Sequence, residues 1–213
     1  MSTPRFLYCW FDSEYTMLEL ERAEILQVAL IVTGDDLSPL PQRPAAIPDE
    51  LLRADGFSAV ATLPPPERIS DHVKKNYQPL LETCGLRGRP VNELDGFLAS
   101  YLDCFPESHA EDVRQRPVLS GNSIYADYFL ARKYLPRFVS RLNYRHLDVT
   151  SFKIEWLFHY RERKFEKLGR ADGIQKFYPG RDAVSGDKHD AYYDVQASIA
   201  ELAFYRSRFE RVP

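Results

Sequence analysis

Arg5 to Glu14 reads RFLYCWFDSE, an almost unbroken apolar run that stops at two acids one residue apart. Such a run suits a strand buried on both faces, the central strand of an α/β sheet. Side chains alternate across a strand, so Asp12 and Glu14 leave its end pointing the same way. Ligands of open α/β sheets bind outside the carboxyl ends of the strands, where this pair stands. Two carboxylates converging there repel each other unless a cation lies between them, and magnesium or manganese prefers such oxygen ligands. The tripeptide also reads as a turn that simply leaves the sheet.

Working outward, Ala23 to Thr33 (AEILQVALIVT) predicts the next strand, closed by the turn residues Gly34-Asp35-Asp36. Residues 38–66 hold two proline-rich stretches around a short strand, Phe57 to Leu63, and predict an irregular surface excursion. Helical patterns follow at about 68–83 and 92–104, the second with Leu94, Phe97, Leu98, Tyr101 and Leu102 on one face. Pro117–Ser120 predicts a strand, Gly121-Asn122 a turn, and 123–135 a helix ended by Pro136. Arg145–Val149 predicts the last strand, leading into a helix to about Tyr160. A charged, glycine-containing loop with a helical piece follows over 161–188, then a final helix over about 190–210. This order predicts a layered α/β fold, read as one domain spanning residues 1–213.

Composition narrows the class. The 213 residues are 44% hydrophobic and 13% aromatic, enough for a packed core and against global disorder. No apolar run approaches the about 20 residues of a membrane-spanning helix, and the N-terminus resembles neither a signal nor a transit peptide, so a cytoplasmic protein is expected. Cys9, Cys84 and Cys104 form no CxxC pair and predict neither a disulfide framework nor structural zinc. A formal charge of −3 does not suggest a protein that grips long nucleic acid through a basic face.

Three further residues belong with Asp12 and Glu14. Asp127 falls in the first turn of the 123–135 helix, where an acid also serves the helix dipole, worth about 0.3–1 kcal/mol. Ser123 is already a candidate N-cap, leaving Asp127 spare for the sheet edge. Asp194 lies on the margin of an inward stripe made by Ala191, Val195, Ser198, Ile199 and Leu202. A carboxylate buried there must be paired, protonated or metal-bound. His189, five residues earlier in SGDKH, is placed to sit over a metal held by Asp194 and to take a proton from water. His72, His109, His146 and His159 read as surface or packing residues. Four carboxylates and a histidine make a two-cation site suited to phosphodiester hydrolysis.

Asp12-Ser13-Glu14, the GNSIYAD segment ending at Asp127, and HDAYYD at 189–194 resemble the DEDDh group of 3′–5′ exonucleases in the RNase H-like (DnaQ-like) superfamily. Within that group the chain is most similar to the oligoribonuclease branch, through Leu18, SGNSI at 120–124, YRHLDV at 144–149 and SIAELAFYR at 198–206. The similarity covers most of the chain apart from roughly 38–115. It implies an RNase H-like fold with a mixed five-stranded sheet, and a homodimer. It also implies two Mg²⁺ or Mn²⁺ ions held by Asp12, Glu14, Asp127 and Asp194, with His189 as general base. By the same match Leu18 wedges near the terminal bases, Asn122 and Ser123 line the substrate groove, and Tyr144 reaches the partner subunit's site.

Three departures stand out. Met17 replaces a glycine of the family pattern, and Gln27 stands where glutamate is common. The segment Arg68–Leu86, RISDHVKKNYQPLLETCGL, lacks the Trp and His that cap dinucleotides in the family, with His72 and Tyr77 as candidate substitutes. The expected activity is removal of nucleotides from the 3′ end of short RNA. The alternative is trimming of DNA ends or longer RNA, and the least favoured is a relative that binds nucleic acid without cutting it.

Overall fold

The computed structural model describes residues 6–159, 165, 173–180, 184–186 and 189–209. Expectations for Arg5, for most of the 161–188 loop and for position 210 fall outside them. Five strands form one sheet: β1 (Tyr8–Tyr15), β2 (Ile25–Thr33), β3 (Gly56–Val60), β4 (Val118–Gly121) and β5 (His146–Asp148), in the order β3-β2-β1-β4-β5. β1 pairs antiparallel with β2 and β2 with β3, whereas β4 runs parallel to β1 and β5 parallel to β4.

The alternation of β1 decides what lies on each face. Cys9 and Phe11 join Val28, Leu30 and Leu119 in a core completed by α3 (Val91–Leu102), α4 (Tyr125–Tyr134) and α5 (Pro136–Val139). Trp10 joins Ala29 and Ile31 in a second core beneath α6 (Val149–His159), α7 (Ile174–Phe177) and α8 (Ala191–Phe209). Both faces are covered, which is why all nine residues of β2 are buried. The fully buried Phe11 contributes roughly 1.5–3 kcal/mol through area removed from water. Trp10 keeps its polar edge satisfied by donating from Nε1 to Thr33 Oγ1 at 2.9 Å.

β1 is longer than its apolar run. Its pairing with β4 covers only Tyr8 to Trp10, but its pairing with β2 continues through Asp12↔Ala29 and Glu14↔Gln27. The acidic pair therefore stands inside the strand, on a stretch that has outrun β4, and the reading of a turn leaving the sheet is replaced. β4 stops at Gly121, where an added Cβ would lie 2.9 Å from the Phe11 carbonyl oxygen and 2.9 Å from Ile124 Cδ1. Only glycine permits that approach, and the gap beyond it is the crevice at the strand ends.

The helix expected over 68–83 is two: α1 (Asp71–Asn76) and α2 (Gln78–Arg87), broken at Tyr77. Pro79 explains the break, because a proline inside a continuous helix loses a hydrogen bond and clashes with the preceding turn. Early in α2 it costs nothing. The final helix also departs from its expected stripe. Residues 191–202 of α8 are buried on every side, packed against β1, β2, α6 and α7. The proline-rich segment holds a 3₁₀ turn at Asp49–Leu51 and an isolated bridge between Thr33 and Pro39, and it sends Ile47 and Leu52 into the core.

Candidate active site

The extension of β1 past β4 leaves the Ser13 N–H beyond β4's pairing. Asp127 supplies an acceptor: its Oδ1 takes the Ser13 N–H at 2.8 Å and the Ser13 hydroxyl at 2.7 Å. The α4 face that buries Ile124, Leu130 and Ala131 against the sheet sets Asp127 here, 5% exposed. Ser123 does not cap α4 as the sequence suggested. The N-cap is Ile124, without a side-chain bond, and Ser123 sits in the left-handed region at φ +51°. Its N–H donates instead to Asp148 Oδ1 and Thr150 Oγ1, tying the β4–α4 turn to the start of α6.

Asp194 arrives from the opposite face, in the first turn of α8. Its Oδ2 accepts the His189 backbone N–H at 3.1 Å, and its carbonyl accepts the Ser198 hydroxyl at 2.9 Å. His189 is itself left-handed at φ +70°, a conformation few non-glycine residues adopt and one that clusters at functional sites. Gln27, cross-strand from Glu14, accepts the N–H of Ala191 at the α8 start, so the strand pair and the helix are fixed to each other.

One cleft of about 640 Å³ gathers these groups. Asp12, Glu14, Asp127, Asp194 and His189 all line it, with Leu18, Asn122 and Ser123. Met17, packed against the core, lines it too. Ligand atoms of Glu14, His189 and Asp194 lie within 4.8 Å of one another. Burial, only partly offset by the Ser13 bonds, pushes the Asp127 carboxyl up to about 7. After burial itself, the Asp127, Asp12 and Glu14 carboxylates push the Tyr15 hydroxyl upward, and those of Glu14 and Asp194 push the Tyr77 hydroxyl upward. Oxygen donors from four acids beside one imidazole suit a hard divalent cation, whose charge would relieve this repulsion. The residues present therefore fit the implied ions.

Tyr144, expected to reach the partner subunit's site, lies outside the cleft of its own chain and is 56% exposed, with Arg145 over its ring. Asn122 lines the cleft, yet its amide is already engaged. Nδ2 donates to Ser198 Oγ and Glu201 Oε2, both at 3.0 Å, and Oδ1 accepts from Thr150. Its observed role is a strut between β4 and α8. Glu201, fully buried and held also by Lys153 and Tyr205, was missed. The only signal for it was an acid three residues after Ser198 and four before Tyr205 on one helix face. His72 and Tyr77 do line the cleft, as does Leu18, which is 89% exposed. Their position comes from the α1–α2 break.

No model of a known protein family matches the chain. Over 97% of its length it is 31% identical to the oligoribonuclease of Tropheryma whipplei (strain Twist), covering 95% of that protein. It is 30% identical to the oligoribonuclease of Coxiella burnetii, over 93% of this chain and 91% of that one. Among solved structures, exonuclease I of Methylocaldum szegediense superposes with a TM-score of 0.57 at 18% identity, over 97% of this chain. Escherichia coli exonuclease I in complex with a 5cy-dT13 oligonucleotide gives 0.56 at 14% identity, again over 97%. The chain spans 41% of each of those two longer proteins. The shared fold is RNase H-like.

Proposed function

This chain belongs to the oligoribonuclease family of 3′–5′ exonucleases, and on that premise we propose that it degrades short RNA from the 3′ end to 5′-mononucleotides by two-metal-ion hydrolysis. The observation that carries this reading is the meeting of Asp12, Glu14, Asp127, Asp194 and His189, from both faces of the sheet, in one 640 Å³ cleft. A volume of that order suits a ligand of a few rings rather than a long polymer. Asp12, Glu14, Asp127 and Asp194, which line the cleft, would hold two Mg²⁺ or Mn²⁺ ions, whose charge would favour ionisation of the attacking water and departure of the 3′ oxygen.

The chain's own residues do the rest. His189 takes the proton of the attacking water. Leu18 offers an exposed apolar face to the terminal base, and Val73, His72 and Tyr77, which line the same cleft, serve as the cap. Ser123 lines the groove while Asn122 holds it open through Ser198 and Glu201. The reading includes a homodimer in the cytoplasm. Tyr144, exposed and outside the cleft of its own chain, would then serve the partner's site.

One observation favours a second reading, trimming of longer RNA or DNA. A larger cavity, about 1090 Å³, meets the cleft at Tyr77 and His189 and is lined by Arg53, Arg87 and Arg89. Arg89 is neutralised there by Glu50 and Glu93, which weakens the cavity's hold on phosphate. A length series of RNA and DNA, from two to twenty nucleotides with Mn²⁺, decides between them. Fastest turnover on RNA dinucleotides is expected. Shortening of a 20-mer by protein that ignores dimers would transfer the assignment to the second reading.

A further inference from the structure

The break between α1 and α2 delivers Tyr77 to the ring of His189. The Tyr77 hydroxyl lies 3.0 Å from His189 Nδ1, and the two rings stand 5.1 Å apart at 55°. The backbone of the same histidine is tethered by its N–H to Asp194. We propose that Tyr77 is a positioning residue for the exonuclease reaction: its hydroxyl accepts the Nδ1 proton of His189 and so fixes the tautomer whose Nε2 is free to act as base. The inference rests on the reading of His189 as general base.

The tautomer matters because a neutral imidazole carries a single ring proton, and the partner of one nitrogen decides the state of the other. If the Tyr77 hydroxyl donated to Nδ1, the proton would reside on Nε2, and the nitrogen left for the cleft could accept nothing. With Nδ1–H donating to the phenol oxygen, Nε2 keeps its lone pair. The water proton then passes to Nε2 and the water oxygen forms the new bond to phosphorus as the bond to the 3′ oxygen breaks; that oxygen keeps the bonding pair and takes a proton from solvent to leave as the 3′-hydroxyl of the shortened strand. The Nδ1 proton stays in place throughout.

A phenol suits this task better here than the carboxylate that orients histidine in many hydrolases. Asp12, Glu14, Asp127 and Asp194 already crowd the cleft with negative charge, and the substrate is a polyanion. A fifth carboxylate beside the histidine would oppose substrate binding. Tyr77 stays a neutral phenol, since burial and then the Glu14 and Asp194 carboxylates push its hydroxyl upward. Its place is secured by the chain: the Tyr77 N–H bonds to the Val73 carbonyl, and its own carbonyl accepts the Leu81 N–H.

Two readouts test the proposal on the full chain. In ¹⁵N-histidine spectra at alkaline pH, with His189→Gln identifying the signal, the wild type should show a protonated Nδ1 and an unprotonated Nε2. Tyr77→Phe should shift that signal towards the opposite tautomer. A wild-type signal protonated at Nε2, or one unmoved by Tyr77→Phe, overturns the proposal without reference to activity. In kinetics, Tyr77→Phe keeps the ring and should lower kcat roughly tenfold with KM within about twofold, the scale of one lost hydrogen bond. In a His189→Ala background the same substitution should cost nothing more, because the tyrosine acts only through the histidine. An equal loss in both backgrounds, or a change confined to KM, also overturns it. A wild type inactive on every strand length would break the functional reading alone, and the spectra would still decide the tautomer.

Discussion

The two lips of the cleft are built in opposite ways. The β1 side is sheet: Asp12 and Glu14 stand in a strand registered residue by residue against β2, and buried Asp127 is clamped by Ser13. The other side is connection: Tyr77 occupies a helix break, and His189 sits in a left-handed turn before α8. On the proposed reading, the first half holds charge for the cations and the second holds the groups that meet the substrate's end. Ladder pairing fixes a side chain more tightly than a turn does, so substitutions on the two sides should fail in different ways.

The largest effect is expected on the sheet side. Asp12→Ala should abolish hydrolysis, a loss of at least about 10³-fold, since a cation ligand and its charge both disappear. The protein should stay folded, because Asp12 is only half-buried, and its circular dichroism should match wild type. Retained activity after rigorous purification would mean that chemistry does not depend on this strand. A smaller effect is expected on the exposed Leu18. Leu18→Ala should raise KM roughly tenfold with kcat unchanged, the scale of losing most of one leucine's apolar contact with a base. A fall in kcat at constant KM would instead assign Leu18 to positioning the scissile bond.

The same division governs how much could be read in the sequence. The sheet half was legible because strand periodicity and burial act locally: RFLYCWF announced β1, and the alternation put Asp12 and Glu14 together. Asp194 was legible as an acid that its helix did not need, whereas Asp127 read equally as an acid serving its helix dipole, because Ser123 does not cap α4. Strand length was not, because β1 ends where β2 stops pairing with it, and that is a property of the partner. The helix break at Tyr77 escaped for a related reason. Pro79 is compatible both with a kinked helix and with the first turn of a new one, and only packing of α2 on β2 and β3 selects the latter. Asn122 lines the cleft, but its bonds to Ser198 and Glu201 come from a helix more than seventy residues away. Spacing along the chain does not record such partners.

The subtlest test separates the halves by their response to protons. Asp127 is 5% exposed and burial pushes its carboxyl up to about 7, against an unfolded value near ~3.9. The folded state therefore binds this proton more tightly than the unfolded state does. Its contribution to stability is complete below about pH 4 and is lost as pH rises towards 7. In EDTA, the melting temperature of the wild type should fall across that window more than that of Asp127→Asn, whose amide carries no charge at any of these pH values. The difference between the two curves isolates Asp127 from every other titrating group. Added Mn²⁺ should reverse the loss, raising the wild-type melting temperature more at pH 8 than at pH 5, because a cation favours the ionised carboxylate. Parallel curves for the two proteins would show that Asp127 is ionised in the folded state even without a cation. The sheet half of the cleft would then be as well solvated as its lip, and the contrast between the two would lose its electrostatic basis.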